Sequence, residues 1–204
     1  MQKLTIGILA LQGDVIEHIH AVERLGAEAI AVKYPAELDK IDGLIIPGGE
    51  STCIDRLTDN LARSLFSKIK KKAKAGMPVY GTCMGSILLA KSIEGHKQRT
   101  LGLMDITIRR NAYGSQKLSF ETEICIKELG NIPFEAVFIR APSIIAVDKN
   151  VEVLAMVDDS IVMARQNNFL ATTFHPELLE DTRIHRLFLD MVEKSKNPDL
   201  MKVS

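Results

Sequence analysis

The sequence predicts an α/β fold: a single three-layer domain whose central, mostly parallel sheet is flanked by helices, with an antiparallel or mixed extension in the second half. In the first half, short apolar runs typical of buried parallel strands alternate with segments of helical periodicity. In the second half, strand-like runs follow one another with short connections. The chain has 204 residues and 46% hydrophobic content, which is enough for one compact core.

The first half begins with an apolar run at residues 4–11, which is the first predicted strand. From Asp14 the apolar positions recur at helical spacing; Asp14 is suited to cap this helix and Gly26 to end it. Short strands follow at residues 29–32, 43–46 and 79–81, with a mostly helical segment at 51–75 that breaks near 59–60, and a helix beginning at about Cys83.

The second half reads as successive strands before a last amphipathic helix. The strands are predicted at residues 101–109, 119–126, 136–140, 151–157, 161–166 and 169–174, and the helix at 181–193. No linker divides the chain, so we expect one domain over residues 1–196 and a disordered tail over 197–204.

Composition excludes several classes of partner. Basic and acidic residues balance at 26 each, so no overall field favours nucleic acid or an anionic membrane. No apolar run approaches the roughly 20 residues that span a bilayer. Three cysteines at scattered positions favour a reducing compartment over a disulfide framework, and the first strand leaves no room for a signal peptide. We therefore expect a cytoplasmic protein.

Cys83 lies between two glycines, in the run GTCMG at residues 81–85, where a strand gives way to a helix. A nucleophile at such a turn is forced outward, and the helix start directs N–H groups toward the sulfur, which favours the thiolate. A small buried residue at a turn fits these five positions equally well. The rest of the chain has to decide between the two.

A thiol nucleophile needs a base, and His175 is the best placed of the five histidines. It follows a predicted strand, so it can meet Cys83 at the carboxyl edge of the sheet, and Glu177 is close enough to orient its ring. His18 and His20 lie two apart on a helix and are expected to be partly exposed. His96 falls in a polar connection and His185 in the last helix.

The glycine pair in IPGGEST at residues 46–52 follows another predicted strand. As structure alone this is an ordinary strand–turn–helix junction, in which Ser51 or Thr52 caps the next helix. As part of a site, the Gly49 N–H could stabilise an oxyanion at the same sheet edge.

Taken together, these segments resemble the class I, triad-type glutamine amidotransferases, and among them the glutaminase subunits of pyridoxal 5'-phosphate synthase. The resemblance implies a flavodoxin-like fold and covers nearly the whole chain. It is carried by LQG at 11–13 with Glu17 and His18, PGGEST at 47–52, GTCMGSILLAK at 81–91, LGLMD at 101–105 with Arg110 and Asn111, SFE at 119–121, FIRAP at 138–142 and FHPEL at 174–178.

The resemblance implies a role for each site residue. Cys83 would be the nucleophile, His175 the base and Glu177 the residue that orients it. The backbone N–H groups of Gly49 and Met84 would form the oxyanion hole. Glutamine would be bound by a set of residues that includes two arginines suited to its carboxylate: Gly49, Glu50, Ser51, Arg110, Ile139 and Arg140.

The resemblance further implies that the ammonia goes to a partner, a (β/α)8-barrel synthase subunit that combines it with ribose 5-phosphate and glyceraldehyde 3-phosphate. The chain itself would need no metal and no cofactor. Two alternatives are the glutaminase subunit of another amidotransferase, such as imidazole glycerol phosphate synthase, and a non-hydrolytic cysteine-bearing chaperone or sensor of the same fold. Met84 stands where the family commonly has alanine, so we expect a different pocket volume. Ser86 stands where many sister enzymes have glutamine, which disfavours the anthranilate-, GMP- and carbamoyl-phosphate-type amidotransferases.

Overall fold

In the computed structural model, which describes residues 3–49, 60–112 and 119–197, a ten-stranded sheet forms the centre of the molecule. Five strands at one side are parallel, in the order β2-β1-β3-β4-β12. Their bounds are β1 Thr5–Leu9, β2 Glu28–Val32, β3 Gly43–Ile46, β4 Val79–Thr82 and β12 Phe169–Thr172.

The other side of the sheet is mixed, as the sequence predicted for the second half. From β12 the order continues β11-β9-β6-β5, with β10 paired to β11, and only β5 and β6 are parallel. A separate antiparallel pair, β7 with β8, packs over one face. The bounds are β5 Ala90–Ile93, β6 Met104–Arg109, β7 Ser119–Ile124, β8 Phe134–Ile139, β9 Ser143–Val147, β10 Glu152–Val157 and β11 Ser160–Gln166.

Helices cover both faces of the sheet and complete the three layers. Within the described residues the α-helices are α1 Val15–Arg24, α2 Asn60–Lys74, α3 Met84–Leu89 and α4 Arg183–Lys196. One core cluster lies between the sheet and α2 with α3, and the other lies between the sheet and α1, α4 and the β7–β8 pair. Alternate strand residues supply both clusters: Ile45 faces one while Leu44 and Ile46 face the other. The predicted fold class is confirmed.

The principal difference from the sequence-based expectation lies after Cys83. The helix there ends at Leu89, because Ala90 adopts extended backbone and begins β5, which pairs with β6. That strand was not predicted. Residues 198–204 of the expected tail and residues 50–59 lie outside the described residues, so the domain boundary stays a prediction. Over the described ranges, no helix combines the length and apolarity that crossing a membrane requires.

Candidate active site

Cys83 occupies a sharp elbow between β4 and α3. Its backbone has φ 46° and ψ −107°, a conformation that residues other than glycine rarely adopt. Such strained residues are often found at functional sites. The elbow is tight: a Cβ on Gly85 would lie 1.9 Å from the Ile46 carbonyl oxygen, and one on Gly81 would lie 2.5 Å from the Gly85 backbone. The two glycines that flank Cys83 are therefore required by close backbone approach.

His175 follows β12, which pairs in parallel with β4, so His175 and Cys83 leave neighbouring strands at the same edge. The His175 N–H donates to the Val137 carbonyl oxygen at 2.9 Å, which fixes the backbone against β8. Its Nδ1 lies 2.8 Å from Oε1 of Glu177, and both side chains are buried. The structure thus brings together the three residues that the sequence predicts as nucleophile, base and orienting carboxylate.

The charges of these groups depend on one another. Burial by itself lowers the pKa of His175, but hydrogen bonds with Asp14, Cys83 and Glu177 outweigh it and raise the pKa to about 12. Burial raises the pKa of Glu177, partly offset by its bond to His175. A protonated imidazole facing a thiol favours the thiolate, which is the form that attacks carbonyl carbon.

Asp14 is a site residue that the sequence analysis missed. Its side chain makes no capping hydrogen bond to α1; instead its Oδ2 lies 3.3 Å from Nδ1 of His175. Asp14 therefore occupies the expected N-cap position, but its carboxylate does not cap the helix, because the ion pair with a buried imidazole competes for it. The position of Asp14 in the turn that follows β1, at the carboxyl edge of the sheet, was the available signal.

Asp14, His175 and Glu177 also form a group of metal-ligand types, since their ligand atoms lie within 4.8 Å of one another. Nδ1 of His175 is already shared between the two carboxylates, an arrangement that suits an imidazolium. The expectation that the chain needs no metal stays a prediction.

The glycine turn after β3 touches the other site residues directly. A Cβ on Gly48 would lie 2.5 Å from Cε1 of His175, so only glycine leaves space for the ring. The Gly48 N–H donates to Oγ1 of Thr82 at 3.1 Å, and its carbonyl oxygen packs against Gly13, where a Cβ would lie 1.7 Å away. Gly49 has φ +141°, which favours glycine. Glu50 and Ser51 lie outside the described residues.

The segments that contain Arg110, Ile139 and Arg140 lie next to each other. The Ala112 N–H donates to the Ala141 carbonyl oxygen at 3.1 Å, just beyond both arginines in the chain. The Ile139 carbonyl oxygen is 4.0 Å from Sγ of Cys83, so this segment borders the thiol. Arg140 is exposed, with φ 45°, and Nη1 of Arg110 donates to Oε1 of Gln98 at 3.1 Å.

Both Met84 and Ser86 are buried. Met84 belongs to the core cluster that contains Ile46 and Leu88, and it also lines a small cavity with Gln12 and Pro47, so the expectation of a changed pocket volume stays a prediction. The Ser86 hydroxyl donates to the Cys83 carbonyl oxygen at 2.6 Å. Ser86 therefore supports the elbow.

The expectation that His18 is partly exposed is wrong. His18 is fully buried, whereas His20, two positions on, is exposed. Nδ1 of His18 lies 3.0 Å from Nε2 of His185, and its Nε2 lies 3.1 Å from Oγ1 of Thr82. The face of α1 that carries His18 packs on the sheet and α4, which a spacing of two residues could not reveal.

The model of the SNO glutamine amidotransferase family matches residues 8–194. The chain belongs to this family. Its relatives include proteins named pyridoxal 5'-phosphate synthase subunit PdxT: that of Thermotoga petrophila is 50% identical over 93% of this chain and 100% of its own length. That of Geobacillus kaustophilus is 50% identical over 98% of this chain and 100% of its own length.

Solved structures agree with this family. A structure described as a glutamine amidotransferase is 43% identical, with a TM-score of 0.85 over 92% of this chain and 98% of its own. A putative GMP synthase protein from Thermoplasma acidophilum is 18% identical, with a TM-score of 0.70 over 98% of both chains, and shows the fold alone. The family resemblance seen in the sequence is confirmed.

Proposed function

We propose that this chain is the glutaminase subunit of a pyridoxal 5'-phosphate synthase, and that it hydrolyses L-glutamine to L-glutamate and ammonia. The observation that carries the proposal is the meeting of Cys83, His175 and Glu177 at one sheet edge, in an SNO-family chain. The relatives named as synthase subunits match over their whole length, which supports the assignment to this pathway among the amidotransferases.

The chemistry follows from the charges at the elbow. His175 holds the proton of Cys83, and the thiolate attacks the carboxamide carbon, so a C–S bond forms and the carbonyl electrons move to oxygen. When that oxyanion collapses, the C–N bond breaks, and His175 protonates the leaving nitrogen so that ammonia departs. Water then gives a proton to His175 and attacks the thioester carbon, so a C–O bond forms. The C–S bond breaks, glutamate leaves, and His175 returns the proton to the sulfur of Cys83.

The oxyanion would be held by the backbone N–H groups of Gly49 and Met84. Gly49 lies in the turn that touches His175, and Met84 opens α3 directly after the nucleophile. Helix starts and glycine turns present free N–H groups, and removing one such donor costs about 10²–10³ in rate in a protease.

Substrate recognition would come from two adjoining segments, residues 110–112 (the 110 segment) and residues 139–141 (the 140 segment). Arg110 or Arg140 suits the glutamine carboxylate, and the Ile139 carbonyl, beside the thiol, suits a substrate N–H. Gly49, Glu50 and Ser51 complete the proposed pocket. No cofactor enters this scheme, and the proposed location is the cytoplasm, where thiols such as Cys83 and Cys125 stay free.

The proposed partner is the (β/α)8-barrel synthase subunit, which would receive the ammonia. Exposed apolar side chains lie on elements that surround the site: Ile16 on α1, Ile139 at the end of β8 and Leu178 in the 3₁₀ helix Pro176–Leu178. That 3₁₀ helix packs against both α1 and β8, so the three side chains border one region. An apolar region beside an active site is suited to a protein partner.

Site-directed variants assayed with the synthase subunit test this proposal. Cys83→Ala should abolish glutamate release, while the synthase supplied with ammonium, ribose 5-phosphate and glyceraldehyde 3-phosphate should still form pyridoxal 5'-phosphate. His175→Asn should lose nearly as much activity, and Glu177→Gln less, because it orients the base. Cys125→Ser is the control, because Cys125 is an exposed thiol that does not lie at a strand-to-helix turn. Substantial glutaminase activity in Cys83→Ala would overturn the assignment.

A further inference from the structure

His18 lies directly beneath the candidate site, although no part of the proposed chemistry uses it. It is fully buried on α1 and touches three elements: His185 on α4, Thr82 at the end of β4 and Glu177 in the 3₁₀ helix. Its Nε2 lies 3.1 Å from Oγ1 of Thr82 and 3.6 Å from Oε2 of Glu177. A buried imidazole with both nitrogens engaged holds one fixed orientation.

The two buried histidines are neutral, so each carries a single N–H. Burial, and then the neighbouring His185 and His175, lower the pKa of His18 well below its ordinary value. Burial, and then the charge of Arg24, lower the pKa of His185 to about 4. Of the two nitrogens of His18, one therefore donates and the other accepts.

Two unpartnered atoms decide which nitrogen of His18 carries the proton. Among the described residues, Oε2 of Glu177 and Nδ1 of His185 are buried without a hydrogen-bond partner. A proton on Nε2 of His18 faces the Glu177 carboxylate, and it leaves His185 to donate from Nε2 to Nδ1 of His18. The opposite tautomer turns a lone pair toward the carboxylate and buries an unpaired His185 N–H, which is the costlier defect.

Thr82 extends the contact to the glycine turn. Its Oγ1 accepts the Gly48 N–H at 3.1 Å and meets Nε2 of His18 at the same distance. Gly48 in turn packs against the His175 ring. His18 thus touches the residue that orients the base and the residue that anchors the turn beside it.

We propose that His18 is a positioning residue for glutamine hydrolysis: its Nε2–H is directed at the second carboxylate oxygen of Glu177 and at Thr82, and so holds the carboxylate and the glycine turn in register with His175. This proposal rests on the glutaminase function proposed above. Oε1 of Glu177 pairs with Nδ1 of His175 at 2.8 Å, and Oε2, which has no hydrogen bond to a described residue, lies 3.6 Å from Nε2 of His18, so the carboxylate lies between the two rings.

The expected consequence of losing this N–H has a definite direction. A buried carboxylate that loses one of the N–H groups facing it is harder to ionise, even though His175 still binds Oε1, and a less charged Glu177 stabilises the His175 imidazolium less. The cation that faces the Cys83 thiol is then less stable, and alkylation of its sulfur should slow. Several charged or titratable groups surround His18 and Glu177, and the variants below test His185 and leave the rest in place. They are His175 with Asp14 and Cys83 beside it, His185 with Arg24 near it, and Tyr80 against His185.

The test measures, in the full-length chain, how the rate of Cys83 alkylation by iodoacetamide depends on pH. Peptide mass spectrometry reports the alkylated fraction of Cys83. In His18→Leu, the rise of the Cys83 alkylation rate with pH should move to higher pH. The kcat for glutamine should fall by about tenfold or more with KM little changed, as when an N–H that faces a charged group is lost. His18→Gln, which keeps an N–H at similar reach, should recover most of both. His185→Leu is the matched control: it should lower the melting temperature but leave the Cys83 curve in place.

Three results would overturn the proposal: a wild-type Cys83 curve in His18→Leu, no recovery in His18→Gln, or an equal shift in His185→Leu, which would make the effect one of core packing. Failure of the proposed function is distinguishable, because alkylation of Cys83 needs no glutamine. If the wild-type chain with its synthase released no glutamate, the proposed function would be wrong. The alkylation curves would still test the role of His18. Circular dichroism confirms that each variant is folded.

Discussion

At the scale of single residues, one ring nitrogen sets the chemistry of the site. Nδ1 of His175 lies 2.8 Å from Oε1 of Glu177 and 3.3 Å from Oδ2 of Asp14. Glu177 is buried, whereas about a third of the Asp14 side chain faces solvent. Glu177 therefore orients the ring, and Asp14 adds a weaker, solvent-screened charge that favours the imidazolium.

Asp14→Asn should destabilise the protein in a pH-dependent way. The hydrogen bond to His175 lowers the pKa of Asp14 from its ordinary value of 3.8. A lowered acid pKa contributes stability above the ordinary value, and this is lost as the pH falls through the folded-state pKa. We expect a loss of about 1 kcal/mol or less at pH 7, given solvent screening, and a smaller loss near pH 3. Urea unfolding measures both.

The control for Asp14 is Glu17→Gln, which removes the same charge within the first turn of α1. It should leave the Cys83 alkylation curve unchanged, whereas Asp14→Asn should move it toward higher pH. An Asp14→Asn penalty that grows on acidification would contradict the ion pair.

The sequence predicted the residues whose local motifs carry their role and missed those that act through tertiary contacts. Cys83 is marked by its flanking glycines, and His175 with Glu177 by a short segment after a strand. Asp14 looked like a helix cap, since capping and ion pairing use the same residue type at the same place. His18 looked exposed, because only the packing of α1 against α4 shows which face is buried.

At the scale of elements, the elbow depends on how closely α3 approaches β3 and β4. Gly85 stands where a Cβ would meet the Ile46 carbonyl oxygen at 1.9 Å, and a backbone atom cannot rotate away as a side chain can. The Ser86 hydroxyl adds a bond to the Cys83 carbonyl. Close backbone contact thus holds Cys83 in its strained conformation.

Gly85→Ala should therefore destabilise the protein strongly, by about 2–4 kcal/mol, as overpacking against backbone does. Gly26→Ala is the matched control: Gly26 has φ +82° but nothing within 4 Å of a Cβ, so only backbone strain of about 1–2 kcal/mol applies. Urea denaturation of both variants gives the comparison. Equal losses would mean that the close approach at Gly85 does not hold the elbow.

The elements themselves were predictable to different degrees. The central strands could be located because each is a short apolar run that ends at a polar residue, a proline or a glycine. β5 could not, since ILLAKSI reads as a continuing helix and becomes a strand at Ala90 only through pairing with β6. Likewise, no local sequence pattern shows that β7 and β8 form a separate pair outside the main sheet. Their position depends on tertiary packing, in which Phe134 and Phe138 of β8 are buried in the core.

At the scale of the whole molecule, the order of the sheet brings distant segments of the chain to one site. β12, near the end of the chain, inserts beside β4, so His175 meets Cys83 across 92 positions (175 minus 83). On the mixed side, Arg109 pairs with Ser143, which sets the 110 and 140 segments side by side. Strand order was not predictable from the sequence, because such pairings depend on long-range packing.

The same arrangement links the molecule's outer surface to the glycine turn. The Gly48 carbonyl oxygen packs on Gly13, two residues before α1 begins at Val15, so the Gly48–Gly49 peptide cannot turn over unless the segment around Gly13 moves. A glycine pair has the backbone freedom for such a flip. We therefore expect the proposed synthase subunit, docked on α1, to reorient the Gly49 N–H and to raise the rate of hydrolysis.

Ile16→Asp tests whether activation depends on docking of the synthase subunit against α1. Ile16 is 62% exposed and lies outside the catalytic group, so the variant should keep the basal glutaminase kcat of the isolated chain. A charge placed in an apolar contact typically costs a large share of binding, so synthase-dependent activation should fall by about tenfold or more at a fixed synthase concentration.

Ile132→Asp is the control for the same test, because Ile132 is 70% exposed but precedes β8, at the end opposite Ile139. It should leave activation intact. The measurement is kcat for glutamate release, with and without the synthase, for all three proteins. Because a docked partner must move the segment around Gly13 to act on the turn, basal rates should agree while activated rates diverge. Equal kcat with and without the synthase in the wild-type chain would rule out activation through reorientation of the Gly49 N–H. It would leave the proposed chemistry of Cys83, His175 and Glu177 unaffected.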